Sequence, residues 1–139
     1  MKTTLTAILL AISLQLFAPN APTRLYIPKA ERIQKQATLD DLIAAVVKYE
    51  SKGNTNAVNE KEQAYGAFQI RQCKLTDYNN QTGHQYTLQD MTNYHIARQV
   101  FIHFAKGKSL EKAARKWNGS GPKTNQYWST IQKSMTQCL

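Results

Sequence analysis

Apolar side chains recur at helical intervals over most of this chain, whereas strand-type alternation is nearly absent. Residues three, four and seven positions apart share one face of an α-helix, so each stripe marks a helix with one buried face. The stripes are Leu39, Ile43, Val46 and Val47; Met91, Ile96, Val100, Phe101 and Phe104; Leu110, Ala113, Ala114 and Trp117; and Tyr127, Trp128, Ile131 and Met135. The pattern predicts a small, mainly α domain with a modest core.

Capping residues predict where the first helix and the central helix begin and end. Thr38 and Asp41 have the spacing of a capping pair, and Gly53 with Asn54 supplies residue types that tolerate a left-handed helix end. Thr87 and Asp90 repeat the capping spacing before the central stripe, which we expect to run as a helix to Gly107.

The segment between these two helices is less regular. Residues 54–63 are polar and predict a loop or short hairpin, which leads into the apolar run 65–70. Residues 71–78 predict a further helical turn through Leu75, and residues 79–83 predict a turn.

Glu50 lies on the apolar face of the first helix, seven residues after Ile43 and three after Val47. Partial burial and the negative end of the helix dipole both disfavour a carboxylate, so both raise the pKa of Glu50. A carboxyl group that holds its proton in this way is suited to general acid catalysis. The alternative is a solvated glutamate in a frayed last turn.

The N-terminus has the pattern of an exported protein. Met1 and Lys2 precede an apolar run from Thr3 to Ala18 that is too short to span a membrane comfortably. We therefore predict a signal peptide over residues 1–21, a linker or arm over residues 22–37, and a domain over residues 38–139. The protein would be periplasmic or extracellular, with no stable membrane span after processing; an uncleaved N-terminal anchor is the alternative.

Export also bears on the cysteines and on the charge. Cys73 and Cys138 are the two cysteines, and a bridge between them would contribute about 4 kcal/mol of stability. Two free thiols are the alternative in a reducing compartment.

The net charge of +9 favours an anionic polymer as partner, and export favours a cell-wall glycan with peptide carboxylates over nucleic acid. A lipid surface and a merely solvated basic face are the alternatives.

The sequence offers little support for metal or cofactor chemistry. His84, His95 and His103 are not spaced as metal ligands, and no cysteine cluster accompanies them. There is no phosphate-binding glycine loop and no nucleophilic serine or cysteine with an identifiable base. We predict no metal and no organic cofactor.

Several motifs in order resemble one family. Glu50-Ser51-Lys52-Gly53-Asn54, followed by Gly66-Ala67-Phe68-Gln69, resembles the E-S-x-x-N and G-x-x-Q signature of the lytic transglycosylase (SLT) domain. Leu88 to Asn93 is similar to the segment that opens the family's central helix, and Ala113 to Gly119 resembles its A-x-Y-N-x-G box. The resemblance implies a small lysozyme-like domain, related to goose-type lysozymes, that cleaves peptidoglycan glycan strands.

The resemblance also implies roles for single residues. Glu50 matches the catalytic acid, which protonates the glycosidic oxygen and then takes a proton from the 6-hydroxyl of N-acetylmuramic acid. Gln69 and Phe68 match the glycan-contacting pair, Asn118 matches the asparagine of the tyrosine-asparagine box, and Trp117 occupies the tyrosine position.

Physical chemistry supports these residue types independently. Aromatic rings stack on sugar faces, and amides bind hydroxyl and acetamido groups, so Tyr65, Phe68 and Trp117 beside Gln69 and Asn118 suit a glycan groove. Core packing is the alternative for Phe68 and Trp117, and a simple helix end is the alternative for Asn118.

The chain departs from the family pattern in ways that matter. Asn59 and Gln63 stand where a serine and a glycine are usual, which puts the sugar contacts of that loop in doubt. Trp117 lacks the phenol hydroxyl of the usual tyrosine, so Tyr65, Tyr94 or Tyr127 would have to supply it.

Three other functions remain open on the sequence. A lysozyme-type hydrolase would need a second carboxylate, for which Glu60 and Glu62 are the loop candidates. A non-catalytic glycan-binding protein could serve as an accessory subunit of an envelope-spanning secretion or conjugation machine. A cationic membrane-active protein is the third. We expect a lytic transglycosylase that cleaves the β-1,4 bond between N-acetylmuramic acid and N-acetylglucosamine with 1,6-anhydro product ends.

Overall fold

The computed structural model describes residues 36–136, which form five α-helices, one 3-10 helix and three short strands. In chain order they are α1 (Leu39–Ser51), β1 (Val58–Asn59), β2 (Ala64–Tyr65), β3 (Ile70–Arg71), α2 (Gln72–Thr82), the 3-10 helix (Gln89–Thr92), α3 (Tyr94–Ala105), α4 (Leu110–Asn118) and α5 (Lys123–Thr136). The predicted mainly α class is confirmed. The predicted signal peptide, all but the end of the predicted linker, and Cys138 lie outside the described residues.

Helix α1 begins and ends as its sequence predicts. The Thr38 hydroxyl accepts from the Asp41 N–H at 3.2 Å, and the Asp41 carboxylate accepts from the Thr38 N–H at 2.8 Å. At the other end, Lys52 and Gly53 both take positive φ, and the N–H of Gly53 donates to the Val47 carbonyl at 3.3 Å. Glu50 is therefore held in the last turn of a well-capped helix.

The predicted loop or hairpin is a three-stranded antiparallel sheet in the order β1-β2-β3. Val58 pairs with Tyr65, and Tyr65 pairs in turn with Ile70. Between β2 and β3, Gly66 has φ +75 and donates its N–H to the Ala57 carbonyl at 2.8 Å. A Cβ at this position would lie 1.8 Å from the Met91 carbonyl oxygen, so only glycine fits where the sheet approaches the 3-10 helix.

The prediction of a turn over residues 79–83 was wrong. Helix α2 continues through Thr82 and ends with Gly83 in the left-handed conformation. The Asn79 amide donates to the Tyr86 carbonyl at 2.8 Å and accepts from the Tyr86 N–H at 3.3 Å. Asn79 is a weak helix former, and this contact with the segment after the helix stabilises it at a helical position. Contacts of this kind routinely outweigh intrinsic helix propensity.

The central stripe forms two elements rather than one helix. The Asp90 carboxylate accepts from the Thr87 N–H at 2.7 Å, as the capping spacing predicts, but the element that follows is the 3-10 helix. Asn93 then starts α3, because its side chain accepts from the His95 N–H at 3.0 Å. The two capping signals in this segment, at Thr87 and at Asn93, therefore precede two separate helices, the 3-10 helix and α3.

All five α-helices contribute to one core. Its largest fully buried side chains are Phe68, Phe101, Leu42, Ile70, Leu75, Met91, Ile131, Val46 and Val100. Helices α4 and α5 pack against each other, and α5 packs along α1. This packing brings the second turn of α5 against the end of α1, where Glu50 lies. Within residues 36–136 no helix is both long enough and apolar enough to cross a membrane.

Candidate active site

Glu50 is half-buried at the end of α1 and contacts Tyr127 of α5. The Tyr127 hydroxyl donates a hydrogen bond to Glu50 Oε1 at 2.9 Å. The Tyr127 ring is buried and packs edge-on against Tyr49, with the ring centroids 4.9 Å apart. The bond fixes one carboxyl oxygen and leaves the other, Oε2, available to carry a proton.

The surroundings of Glu50 raise its pKa above the ordinary carboxyl value. Burial is the largest cause, because it removes water from the charged form. The hydrogen bond from Tyr127 and the positive charges of Arg71 and Lys74 oppose it, while the negative charge of Glu62 adds to it. Burial also raises the pKa of Tyr127, and the charge of Glu50 raises it further, so this phenol stays protonated and remains a donor.

A cavity of about 440 Å³ opens beside the Glu50 carboxyl, within the size range of ligand sites. Its walls come from the end of α1, the small sheet, the first two turns of α2, and the end of α4. The lining residues are Glu50, Asn59, Glu62, Gln69, Arg71, Cys73, Lys74, Asp77, Trp117, Asn118 and Gly119.

Three of the five predicted sugar-binding residues line this cavity. The Gln69 side chain is half-buried and donates to the Gly66 carbonyl at 3.0 Å, which holds the amide at the cavity wall. Asn118 is exposed at the end of α4. Trp117 is mostly buried but borders the cavity.

The other two predicted sugar-binding residues do not line it. Phe68 is fully buried, and its ring lies 5.2 Å from that of Phe101 and 5.8 Å from that of Tyr94. The expected sugar contact of Phe68 is therefore wrong, and core packing describes the residue. Tyr65 is half-buried in β2 and packs against the core.

The two candidates for a second carboxylate differ in position. Glu62 lines the cavity and forms an ion pair with Arg71. Glu60 is exposed and is not among the residues that line the cavity. The structure thus brings Glu62, and not Glu60, to the site.

A comparison with models of protein families identifies the family of this chain. The family described as the transglycosylase SLT domain matches residues 28–134. The chain belongs to the transglycosylase SLT domain family. Searches against curated proteins and against solved structures found no match. Membership supports a lytic-transglycosylase-type function on peptidoglycan, and therefore a place of action outside the cytoplasm.

Three of the four SLT family motifs quoted above meet at the cavity: Glu50 comes from the E-S-x-x-N motif, Gln69 from the G-x-x-Q motif and Asn118 from the A-x-Y-N-x-G box. The fourth segment, Leu88 to Asn93, does not line it. Ser51, the next residue of the first motif, instead donates its hydroxyl to the Val47 carbonyl at 3.1 Å. Among the three tyrosines proposed to replace the missing hydroxyl of Trp117, Tyr127 is the one whose hydroxyl bonds Glu50.

Sequence reasoning missed Lys74 and Asp77 as cavity residues. They lie three positions apart on α2 and so share one face of that helix. The spacing of three residues could have placed both side chains on one helix face. Residues 71–78 predicted only a single helical turn, however, and a single turn has no defined face. Within residues 36–136 no group of three or more histidine, cysteine, aspartate or glutamate side chains is placed to hold a metal ion.

Proposed function

We propose that this protein is an exported lytic transglycosylase in which Glu50 acts first as a general acid and then as a general base. The observation that carries the proposal is the half-buried Glu50 carboxyl, hydrogen-bonded by Tyr127 and facing a cavity whose other walls hold Gln69 and Asn118. The raised pKa of Glu50 keeps a proton available at higher pH than an ordinary carboxyl group would.

The proposed reaction uses Glu50 in two proton transfers. Glu50 donates its proton to the oxygen of the β-1,4 bond between N-acetylmuramic acid and N-acetylglucosamine, and the bond from that oxygen to the muramic C1 breaks. The muramic 6-hydroxyl oxygen then bonds to C1, and its proton passes to the Glu50 carboxylate. N-acetylglucosamine leaves with a free 4-hydroxyl, the muramic acid ends as a 1,6-anhydro sugar, and no water is consumed.

The neighbouring groups suit both halves of this cycle. Burial favours the neutral acid before the first proton transfer. Once the proton has left, the Tyr127 hydrogen bond and the charges of Arg71 and Lys74 stabilise the carboxylate. A carboxyl group that must be neutral in one step and charged in the next is helped by both: burial stabilises the neutral acid, and the donor and positive charges stabilise the carboxylate.

Export and domain limits belong to the same proposal. Residues 1–21 would act as the signal peptide, residues 22–37 as a linker, and residues 38–139 as the catalytic domain, with a bridge between Cys73 and Cys138 formed outside the cytoplasm. The net charge of +9 would hold the enzyme on the anionic wall in a salt-sensitive manner. An envelope-spanning secretion or conjugation machine is the partner that this location would allow.

Product analysis tests the reaction directly. Purified protein is incubated with peptidoglycan sacculi in water labelled with a heavy oxygen isotope, and the released muropeptides are examined by mass spectrometry. We expect 1,6-anhydro ends without label from the wild type and no release by Glu50→Gln. Reducing ends that carry one labelled oxygen would show hydrolysis instead.

A hydrolase is the second candidate because Glu62 lines the same cavity as Glu50. Glu62 would then position water or attack the sugar. Its ion pair with Arg71 makes it less suited to that role, because a carboxylate paired with a guanidinium group is a weaker base and a weaker nucleophile. Glu62→Gln would abolish activity if hydrolysis were the reaction.

A non-catalytic glycan-binding function would use the same groove without chemistry at Glu50. The Glu50→Gln variant separates the two possibilities, because glycan binding should survive the substitution while cleavage should not. Retention of the biological function in this variant would favour the accessory protein.

A further inference from the structure

A second cavity of about 500 Å³ adjoins the one at Glu50. The two cavities share four lining residues, namely Lys74, Asp77, Trp117 and Gly119. Lys74, Asp77 and Gln81 follow one another on a single face of α2, so the second cavity continues the first along this helix. Any ligand group that projects from the first cavity past Lys74 enters the second.

The Lys74 ammonium group stands at the junction of the two cavities. Its Nζ donates to the Trp117 carbonyl at 3.2 Å and lies 4.4 Å from the centre of the Trp117 ring. The Phe104 ring centre lies 5.4 Å from the same Nζ. Aromatic faces and a helix-end carbonyl hold this half-buried cation in place.

Lys108 is held in a similar way within the second cavity. Its Nζ donates to the Phe104 carbonyl at 2.6 Å, and the side chain is half-buried. Across residues 36–136, neither Lys74 nor Lys108 forms an ion pair with a carboxylate. An ammonium group has three donors, and the main-chain carbonyls leave donors of both lysines available to a ligand.

The second cavity has the charge of a site for an anion. Lys74, Lys108 and Lys116 line it against the single carboxylate of Asp77, which leaves an excess of two positive charges. Between the lysines, the rings of Phe104 and Trp117 supply apolar surface. Neutral sugars would gain little from such a site, whereas a short peptide with free carboxylates would satisfy both the charge and the apolar surface.

We propose that this second cavity binds the anionic stem peptide carried by the muramic acid at Glu50, so that the enzyme prefers peptide-bearing glycan strands to bare ones. The proposal rests on the proposed function, because it needs the muramic acid to lie at Glu50. The stem peptide is attached to that same sugar, and each extended residue reaches about 3.5 Å further from it. In peptide-bearing strands the lactyl carboxyl group of the muramic acid is amide-linked to the peptide, so the free carboxylates there belong to the peptide.

The cleavage experiment compares two substrates and three proteins. The substrates are peptide-bearing glycan strands and the same strands after an amidase has removed the peptides, which leaves each muramic acid with its own lactyl carboxylate but without the carboxylates of the peptide. The proteins are the wild type, a double variant Lys108→Gln and Lys116→Gln, and a matched control Lys106→Gln and Lys112→Gln. The control variant loses the same charge at exposed positions that do not line the second cavity.

We expect the wild type to cleave peptide-bearing strands with about tenfold higher kcat/KM than bare strands, as charge-assisted hydrogen bonds of this number would give. The double variant should lose most of that preference while its rate on bare strands stays unchanged, and the control should keep the preference. Equal rates on both substrates for the wild type would overturn the inference and leave the proposed function standing. A wild type that cleaves neither substrate would instead contradict the proposed function.

A binding measurement tests the site without catalysis. Glu50→Gln protein is titrated with a soluble N-acetylmuramyl tetrapeptide, with its carboxyl-amidated form, and with poly(glycerol phosphate), each followed by NMR. We expect shifts at the lysines of the second cavity with the tetrapeptide, and at least tenfold weaker binding of the amidated form. Tighter binding of the phosphate polymer, or equal binding of both peptides, would overturn the inference. Lys116→Gln alone, at an exposed position, repeats the measurement with little risk to folding.

Discussion

The two walls of the cavity at Glu50 place a glutamate carboxyl group in opposite environments. On the helical wall, α1 and α5 half-bury Glu50 and give it one neutral donor, the Tyr127 hydroxyl. On the sheet wall, Glu62 is exposed and pairs with the positive charge of Arg71. The same side chain thus lies half-buried beside a neutral donor on one wall, and exposed beside a cation on the other. Position in the fold, rather than residue type, decides which carboxyl can act as the acid.

The comparison extends to how each wall is built. The helical wall is continuous with the core through Ile43, Val46 and Ile131. The sheet wall consists of strands of two residues each and depends on the close approach of Gly66 to Met91. We expect substitutions on the helical wall to change the cleavage activity, and substitutions at Gly66 to change the free energy of unfolding.

Replacing Glu50 should have the largest effect. Glu50→Gln keeps the shape and an acceptor for Tyr127 but removes the proton donor, so we expect cleavage of sacculi to fall by about a thousandfold or more. Turbidity clearance and muropeptide release measure this loss. Glu60→Gln, at an exposed position away from the cavity, is the matched control and should keep wild-type activity; equal losses in both variants would contradict the assignment.

Gly66→Ala should damage the sheet wall most. The new methyl group would meet the Met91 carbonyl in a backbone conformation that alanine disfavours, so we expect the free energy of unfolding to fall by about 3 kcal/mol or more. Chemical denaturation measures the change. Gly53→Ala is the control, because it has a similar positive φ but nothing within 4 Å of a Cβ, and it should cost only about 1 kcal/mol. Similar losses for both would show that strain, and not the contact with Met91, explains the effect.

Tyr127→Phe should shift the pH dependence of activity. The Tyr127 hydrogen bond lowers the pKa of Glu50, so its removal should raise that pKa further. Because the proposed mechanism needs protonated Glu50, the alkaline limb of kcat/KM should move to higher pH, with an activity loss of about fivefold at the optimum. Tyr65→Phe is the control and should leave the profile unchanged. A shift of the limb to lower pH would contradict the role given to Tyr127.

Glu62→Gln should have the smallest effect on activity. Its negative charge raises the pKa of Glu50, so its loss should move the alkaline limb slightly to lower pH. We expect the rate at the optimum to change by less than about threefold, which corresponds to well under 1 kcal/mol. Initial rates on sacculi across pH measure both quantities. A loss approaching that of Glu50→Gln would favour the hydrolase, in which Glu62 is the second carboxylate.

Periodicity and capping residues predicted α1 well, and with it the placement of Glu50 on a buried face. The Thr38 and Asp41 pair and the glycine at position 53 are local signals, so they can be recognised without knowledge of the fold. The same local reasoning failed at residues 79–82, where the contact between Asn79 and Tyr86 decides the structure.

The residues of the site that belong to local sequence motifs could also be predicted. Gln69 and Asn118 belong to motifs and were found, whereas the bond from Tyr127 to Glu50 joins residues 77 positions apart. Sequence alone named Tyr127 as one of three tyrosines but could not choose among them. Phe68 was misplaced because its ring packing with Phe101 and Tyr94 depends on where α3 lies.

The pKa of Glu50 tests the difference between the two walls most directly. We suggest an NMR titration of the Glu50 carboxyl resonance, identified by comparison with Glu50→Gln. We expect a pKa clearly above that of an ordinary glutamate, because burial outweighs the hydrogen bond from Tyr127 and the positive charges nearby. A pKa at or below that of an ordinary exposed glutamate would contradict the role of Glu50 as the general acid.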